Sequence, residues 1–217
     1  LDKNLFNYSK KYKNAKPYSH IVIDNFLLEK CIKNTLKGFS SVNWASYNHF
    51  NERKSGNKTK DFDPSLKNTI KALNSPEFVR RLEKLTGIEN LISDPELGSG
   101  GVHRSTRGGY LNIHADFTVH PYKKNWHRRV NLLVYLNEKW EEKWGGQLEL
   151  WEETMNYCIQ KISPIYNRCV IFNTDYNSFH GHPEPMKCPD NIFRNSIALY
   201  YYTEVKNDVI AVATNYK

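Results

Sequence analysis

Apolar positions in the first ninety residues recur every three or four residues, the spacing of amphipathic helices. This pattern predicts helices over about residues 28–39, 66–73 and 75–86. The third has the clearest boundaries: Ser75 suits the N-cap, Pro76 suits the first helical position, and Gly87 suits the end. These helices are expected to support a sheet.

The remaining N-terminal segments have no helical pattern. Residues 21–27 are rich in β-forming side chains, which predicts a short strand followed by a turn. Residues 1–18 are polar and Lys-rich and are interpreted as a loose arm. Residues 48–63 are polar without periodicity and are interpreted as a loop.

After Gly87 the pattern changes to short β-rich runs separated by Gly, Pro, Asn and Asp, which favours a sandwich, barrel or jelly roll. Eight strands are predicted, at residues 101–106, 109–117, 129–137, 146–152, 157–163, 168–173, 178–182 and 194–203. The sequence shows no repeat or linker. We therefore expect a mainly β (α+β) chain forming a single domain over residues 1–217, with one strand and supporting helices in 1–90 and the β core in 91–205.

Composition narrows the class of protein. The 217 residues are 39% hydrophobic and 13% aromatic, which indicates a folded globule. The four cysteines form no C-x-x-C motif, which argues against a zinc module or a disulfide scaffold and favours a reducing, cytoplasmic setting. No apolar run suits a membrane span and no signal peptide is recognised, so no membrane partner is expected. The net charge of +8 fits either a Lys-rich solvated surface or an anionic partner.

The pair His114-x-Asp116 is the first candidate for chemistry. Side chains two apart in a strand share one face, so this imidazole and carboxylate would project together. They would supply two of the three ligands of a two-histidine, one-carboxylate triad on non-haem Fe(II). The pair alone equally fits a surface strand with two unrelated polar residues.

A late strand could supply the third ligand. His180 and His182 both qualify, because they share one strand face. In the following strand, alternation places Arg194, Ser196, Ala198 and Tyr200 on one face. A buried Arg194 would need an anionic partner, and a dicarboxylate matches its guanidinium fork; the alternative is an exposed arginine at the strand start.

These residues stand in an order that resembles the 2-oxoglutarate- and Fe(II)-dependent oxygenases, and most of all their prolyl-4-hydroxylase-like branch. The resemblance extends from about residue 17 to residue 204. The matching positions are Gly108-Gly109-Tyr110, His114-x-Asp116, Tyr135-Leu136-Asn137, Gly145-Gly146, His180 and Arg194-x-Ser196. The resemblance implies a double-stranded β-helix, or jelly roll, with supporting N-terminal helices. The interval from His180 to Arg194 is longer than in compact animal prolyl hydroxylases.

The resemblance also implies roles. His114, Asp116 and His180 would bind Fe(II), the family position favouring His180 over His182. Arg194 would pair with the distal carboxylate of 2-oxoglutarate, helped by Tyr135 and Ser196. The implied reaction consumes 2-oxoglutarate and O2, hydroxylates an unactivated C–H bond and releases succinate and CO2, with ascorbate as a further candidate cofactor.

The substrate is less constrained. Residues 117–129 are interpreted as a loop at the mouth of the site, where basic groups would favour an anionic substrate; charges that merely face solvent are the alternative. The candidate lid and substrate residues are His103, Arg107, Tyr110, Tyr122, Trp126 and Arg128. By analogy with the family the leading substrate is a prolyl residue of a peptide or protein, followed by a free amino acid or small metabolite. Oxidative repair of nucleic acid ranks third, because no groove-reading or base-flipping signature is present.

A non-catalytic jelly-roll binding protein is the alternative from a different class. A lectin-like module does not need an arginine such as Arg194 beside an iron triad. The presence of all the metal and 2-oxoglutarate positions therefore argues against this alternative. Binding of Fe(II) with a colour that depends on 2-oxoglutarate would separate the two.

Overall fold

The computed structural model describes residues 5–57, 62–205 and 211–216. A 3-10 helix at Leu5–Tyr8 precedes four α-helices: α1 Ser9–Lys13, α2 Glu29–Phe39, α3 Pro64–Leu73 and α4 Pro76–Thr86. A second 3-10 helix spans Glu142–Trp144. The strands are β1 His20–Ile23, β2 Ala45–His49, β3 Glu52–Asn57, β4 Leu91–Ser93, β5 Gly101–Ser105, β6 Tyr110–Ala115, β7 Val119–His120, β8 Lys123–Tyr135, β9 Leu148–Trp151, β10 Cys158–Ile162, β11 Cys169–Asn173, β12 His180–His182, β13 Arg194–Glu204 and β14 Asn215–Tyr216.

The strands of the described residues form one antiparallel sheet that curls on itself, consistent with the predicted double-stranded β-helix. Its main path runs β1-β11-β8-β13-β5-β3-β6-β12-β9-β10. Four strands attach at the sides of this path: β14 to β6, β2 to β3, β4 to β13 and β7 to β8. Neighbours in space are far apart in sequence, as in β11 beside β8 and β12 beside β6, so the curled sheet brings distant segments together at one site.

The helices cover one face of this sheet. Leu132, Val134, Ile197 and Leu199 point to the helical side and belong to one large buried cluster with helix residues such as Leu82. Alternation sends the next residues inward, where a second cluster is found. That inner cluster consists of Tyr135, Leu148, Leu150, Ile162, Val170 and Phe172. The inner face is where the functional side chains lie.

The three helices predicted from periodicity are confirmed, although α3 begins at Pro64, two residues before the predicted start. The predicted boundaries of α4 are also confirmed. The Ser75 hydroxyl accepts the Phe78 backbone N–H, and Pro76 is the first residue of α4. Gly87 has a φ of 75°, the left-handed conformation in which glycine costs least. The eight predicted strands also form, with ends that differ by a few residues.

The prediction of a loose N-terminal arm is wrong for the described part of residues 1–18. Residues from Leu5 onward form a 3-10 helix and α1, and both pack against α4. The Tyr12 side chain is fully buried, and its hydroxyl donates to Asn173 Oδ1 at 2.5 Å. One buried aromatic residue in a polar segment gives no periodicity, which is why the sequence pattern missed it.

Two predicted loops are β-hairpins instead. In residues 48–63, β2 and β3 pair from Ala45↔Gly56 to His49↔Glu52, and residues 58–61 lie outside the described part. In residues 117–129, β7 pairs with the start of β8. Both hairpins consist mainly of polar side chains, so neither shows the apolar alternation by which a half-buried strand is recognised.

Within the described residues no helix has the length and apolar character needed to cross a membrane.

The buried contact of Tyr12 predicts a measurable contribution to stability. Tyr12→Phe should lower the free energy of unfolding by about 1 kcal/mol, because it removes the donor to Asn173. Tyr12→Ala should lower it by about 3–5 kcal/mol through loss of packing. Urea denaturation measures both, and the exposed Lys11→Ala is the control, with a change of about 0.5 kcal/mol or less. A Tyr12→Ala protein as stable as the control would restore the loose-arm interpretation.

Candidate active site

Strand pairing brings the predicted metal-binding residues together. His180 of β12 lies opposite His114 of β6 in the antiparallel register. Asp116 follows the last residue of β6 and shares the face of His114, as expected for residues two apart. The nitrogen and oxygen atoms of these three side chains lie within 4.8 Å of one another, so the cluster could hold a metal ion.

The imidazoles are oriented by the backbone. His114 Nδ1 lies 2.8 Å from the carbonyl of Asn112, and His180 Nδ1 lies 2.9 Å from the carbonyl of Ser178. Donation to these carbonyls fixes the tautomer that leaves each Nε2 as a free lone-pair donor. The two Nε2 atoms lie 3.6 Å and 3.4 Å from the oxygens of Asp116, so all three ligand atoms face one point.

Asp116 is held by two donors from β8. Arg128 Nη2 and Asn131 Nδ2 each donate to Asp116 Oδ2 at 2.8 Å. Burial by itself raises the pKa of Asp116, but the charge of Arg128 and the imidazoles of His180 and His114 outweigh it, so the pKa lies well below its usual range. The carboxylate is therefore charged, as a metal ligand requires.

The two late histidines differ in position. Burial is the main cause that lowers the pKa of His180, to about 4, so this ligand candidate is neutral at pH 7. His182 is not part of the cluster of three that could hold a metal. Its pKa is also lowered, first by burial and then by the charges of Arg194 and Lys54. The geometry thus favours His180 over His182 beside Asp116.

Arg194 lies deeper on the same inner face. The residue is 7% exposed, and the described part of the chain has no carboxylate within ion-pair distance of it. Its Nε donates to the carbonyl of Gly146 at 2.7 Å, and its Nη2 donates to the Tyr135 hydroxyl at 3.2 Å. A Cβ on Gly146 would lie 2.7 Å from Met186 Sδ and 3.2 Å from Arg194 Cδ, so glycine there leaves room for both side chains.

Ser196 and Tyr200 follow Arg194 on the inner face, as strand alternation predicted. Ser196 is buried and pairs with Tyr135 across the β13–β8 register. Tyr200 lies under the Arg128 guanidinium, with the charged carbon 3.5 Å from its ring centroid. The outward residues of the same strand, such as Ile197, face the helices.

A cavity of about 180 Å³ opens beside the cluster, lined by His114 and Asp116 themselves. Its other lining residues are Tyr47, Glu52, Lys54, Gly56, Asn57, Ser99, His103, Leu111, Phe117, Tyr200, Thr214 and Tyr216. Lys54 Nζ lies 2.6 Å from Glu52 Oε2 on the β3 wall. Burial by itself raises the pKa of Glu52. The charge of Lys54 and hydrogen bonds from Lys54 and His49 lower it by more, so the pKa of Glu52 lies below its usual value. The cavity mouth therefore holds an ion pair.

Two of the substrate candidates lie beside the cluster. His103 lines the cavity, as predicted. Arg128 is almost completely buried and contacts Asp116, so it does not belong to an exposed basic rim. Its Nη1 is buried and has no hydrogen-bond partner in the described residues.

The other four candidates are absent from the described lining of the cavity. The Tyr110 hydroxyl donates to the carbonyls of His49 and Phe50, which fixes the tip of the β2–β3 hairpin. Arg107 lies near the carbonyl of Cys188 and the carboxylate of Asp190. Tyr122 is 80% exposed, and Trp126 lies under Lys123 and against Tyr202.

Sequence reasoning missed three contributors to the site. Asn131 shares the inner face of β8 with Tyr135, so alternation could have identified it as a partner of the cluster. The Glu52–Lys54 pair lies in a segment with no apolar pattern and gave no signal. Tyr216 stacks 5.3 Å from the His114 ring because β14 pairs with β6, a contact that only tertiary structure reveals.

Comparison with known proteins fits this geometry. Residues 100–202 match the family model described as the 2OG-Fe(II) oxygenase superfamily, a span that contains His114, His180 and Arg194. Residues 100–202 carry a 2OG-Fe(II) oxygenase domain. The class of Fe(II)- and 2-oxoglutarate-dependent dioxygenase and the cofactors predicted for it, Fe(II), 2-oxoglutarate and O2, are thereby confirmed. A search of the curated proteins finds no match.

Solved structures share the fold of the oxygenase domain. A prolyl-4-hydroxylase of Pseudomonas putida aligns with a TM-score of 0.66 at 13% identity, covering 93% of this chain and 100% of that one. A prolyl hydroxylase of Trichoplax adhaerens, solved with a hypoxia inducible factor peptide fragment, gives 0.63 at 22% identity over 91% and 89%. HygX of Streptomyces hygroscopicus, solved with nickel, 2-oxoglutarate and hygromycin B, gives 0.60 at 10% identity over 91% and 92%.

The residues of this oxygenase domain fit both implied groups. Two imidazoles and one carboxylate are the donor set of a facial triad, which leaves coordination positions open. A buried guanidinium without an acidic partner suits a carboxylate ligand. When bound, Fe(II) and 2-oxoglutarate would activate O2, which is the oxidant, while the protein supplies ligands, orientation and shelter from water.

The contacts of Asp116 predict that Asn131→Ala weakens metal binding. The variant removes one of the two donors that orient the carboxylate, and loss of such an outer partner typically lowers metal affinity by about 10–100-fold. Calorimetric titration of Zn(II) or Co(II) measures it. Asn137→Ala is the matched control, since Asn137 is also buried but bonds to Pro164 and Asn195 instead. Equal metal affinities in the two variants would contradict the role of Asn131.

Proposed function

We propose that this protein hydroxylates an unactivated C–H bond of a prolyl residue in a peptide or protein, consuming 2-oxoglutarate and O2 and releasing succinate and CO2. The observation that carries the proposal is the burial, on one inner sheet face, of the His114–Asp116–His180 cluster beside Arg194, which has no acidic partner in the described residues. We take the oxygenase unit to be a single domain over residues 1–217.

His114, Asp116 and His180 are the proposed iron ligands. Each imidazole presents Nε2, because Nδ1 is engaged with a backbone carbonyl, and Asp116 stays charged beside Arg128. These three side chains would hold Fe(II) and leave coordination positions open for cosubstrate and O2. A carboxylate in the triad suits hydroxylation.

Arg194, Tyr135 and Ser196 are the proposed contacts to 2-oxoglutarate. The Tyr135 hydroxyl accepts a hydrogen bond from Arg194 Nη2, and the Gly146 carbonyl accepts one from Arg194 Nε. These two contacts fix the guanidinium plane before a ligand arrives. A fixed fork then binds a carboxylate with little further loss of side-chain freedom.

The cavity beside the metal cluster has room for about one residue of a substrate. Its volume is about 180 Å³, and aromatic rings of Tyr47, Phe117, Tyr200 and Tyr216 line it. His103, which lines the cavity, is the proposed substrate contact from the predicted set. Prolyl hydroxylases among the structural neighbours support the choice of a prolyl residue by analogy of fold.

The activity has a direct test. Protein loaded with Fe(II) without oxygen and then exposed to O2 and 2-oxoglutarate should form succinate. His114→Ala should abolish succinate formation, because one ligand is lost. The control His127→Ala removes a partly exposed histidine of β8 outside the cluster and should retain activity. Absence of both Fe(II) binding and 2-oxoglutarate binding in wild type would favour a non-catalytic binding protein.

The role of Arg194 predicts a separate effect on 2-oxoglutarate. Removing one partner of a buried charge pair costs about 2–5 kcal/mol, so Arg194→Ala should raise the KM for 2-oxoglutarate by about 30-fold or more. Arg194→Lys should recover only part of this loss, because lysine keeps the charge but not the fork. Arg168→Ala, which breaks an ion pair with Asp24, is the control. An unchanged KM in Arg194→Ala would remove this residue from the proposed site.

The substrate class is tested by the same succinate assay. Proline-containing peptides should stimulate turnover and gain one oxygen atom by mass spectrometry, whereas free amino acids should do neither. The His114→Ala protein serves as the blank for uncatalysed oxidation. Stimulation by a free amino acid alone would replace prolyl hydroxylation with hydroxylation of a small metabolite.

A further inference from the structure

His182 is the last residue of β12, two residues beyond His180 of the cluster. In β12, His180 lies opposite Leu150 and Gly181 lies opposite Glu149. Leu148 and Leu150 belong to the inner apolar cluster that includes Tyr135. The β12–β6 register shifts between His180 and His182. His182 is buried, and it lines one cavity with Gly146, the residue whose carbonyl accepts from Arg194 Nε.

The imidazole of His182 lacks the contact that orients its neighbours. His114 and His180 each place Nδ1 against the backbone carbonyl two residues earlier. His182 Nδ1 is buried and has no hydrogen-bond partner in the described residues. A buried polar atom without a partner costs about 1–3 kcal/mol, so this nitrogen is expected to meet a ligand.

The surroundings of His182 indicate the charge of that ligand. Arg194 is its strongest electrostatic neighbour, followed by Lys54 and His114. Arg194 lacks an acidic partner in the described residues, while Tyr135 and Gly146 hold its guanidinium in place. An N–H group beside two cations complements an anion that accepts hydrogen bonds, and a carboxylate is the chemical class that suits both His182 and Arg194.

We propose that His182 donates a hydrogen bond from Nδ1 to the distal carboxylate of 2-oxoglutarate, beside the guanidinium of Arg194. The inference rests on the proposed function, because it assumes that 2-oxoglutarate occupies this inner pocket. His182 is then a cosubstrate-binding residue and not an alternative iron ligand. The pocket would hold one carboxylate between two donors from different strands, β12 and β13.

The experiment measures 2-oxoglutarate binding without turnover. Zn(II) has no redox chemistry, so calorimetry on Zn(II)-loaded protein reports affinity alone. His182→Leu removes the donor and should weaken 2-oxoglutarate binding by about 10–100-fold, the size of a hydrogen bond to a charged group. His182→Asn carries an amide N–H near the place of Nδ1 and should recover most of the affinity. His182→Gln reaches further and should not.

Three controls separate the possible outcomes. His20→Asn replaces a buried histidine of β1 that is outside the metal cluster and bonds to Gln160, and it should bind 2-oxoglutarate like wild type. Zn(II) affinity should be unchanged in His182→Leu, which shows that the metal cluster is intact. The ligand 2-oxobutyrate lacks the distal carboxylate, and its affinity should be equal in wild type and His182→Leu.

Each contrary result would overturn a different part of the argument. Wild-type affinity for 2-oxoglutarate in His182→Leu would overturn this inference and leave the proposed function standing. Rescue by Gln and not by Asn would overturn the assignment to Nδ1. Loss of Zn(II) affinity in His182→Leu would make His182 part of the metal cluster instead. A wild-type protein that binds Zn(II) but not 2-oxoglutarate would overturn the proposed function itself.

Discussion

The antiparallel pairing of β12 with β6, which sets His180 opposite His114, is the constraint on which the rest of the site depends. Side chains directly opposite each other in such a pair are close enough for the two imidazoles to reach one ion. Asp116 completes the cluster only because it follows His114 by two residues on the same face. A register slip of one residue would turn His180 to the other face, so the sheet itself encodes the metal site.

The part of this arrangement that sequence could predict is the part governed by strand periodicity. Alternation along β13 correctly separated the inner Arg194, Ser196 and Tyr200 from the outer Ile197 and Leu199. Helix boundaries at Ser75 and Gly87 were equally accessible, because capping and left-handed backbone depend on local chemistry. The choice between His180 and His182 needed the family resemblance, since both share a face and periodicity cannot rank them.

What sequence could not predict depends on contacts between segments far apart in the chain. Tyr12 is buried, and its hydroxyl bonds to Asn173 on β11. The sequence around Tyr12 contains no pattern that indicates this partner. The β2–β3 hairpin is polar because one side lines the cavity with Glu52 and Lys54. Arg128 was assigned to an exposed rim from its basic neighbours, whereas β8 begins early and carries it inward to Asp116. In each case the tertiary partner overrides the local pattern.

The buried polar groups of the inner face divide by whether the protein satisfies them. His114, His180 and Asp116 are oriented by hydrogen bonds within the chain, which is what rigid metal ligands require. Arg194 has no acid within reach in the described residues, and His182 Nδ1 has no partner there at all. The Arg194 guanidinium is a donor, and the proposed role of His182 makes its Nδ1 a donor as well, so an acceptor would complement both. Each donor that is buried without a partner lowers the free energy of unfolding. A dicarboxylate ligand that accepts from both donors would remove this cost, and the free energy gained would appear as binding affinity.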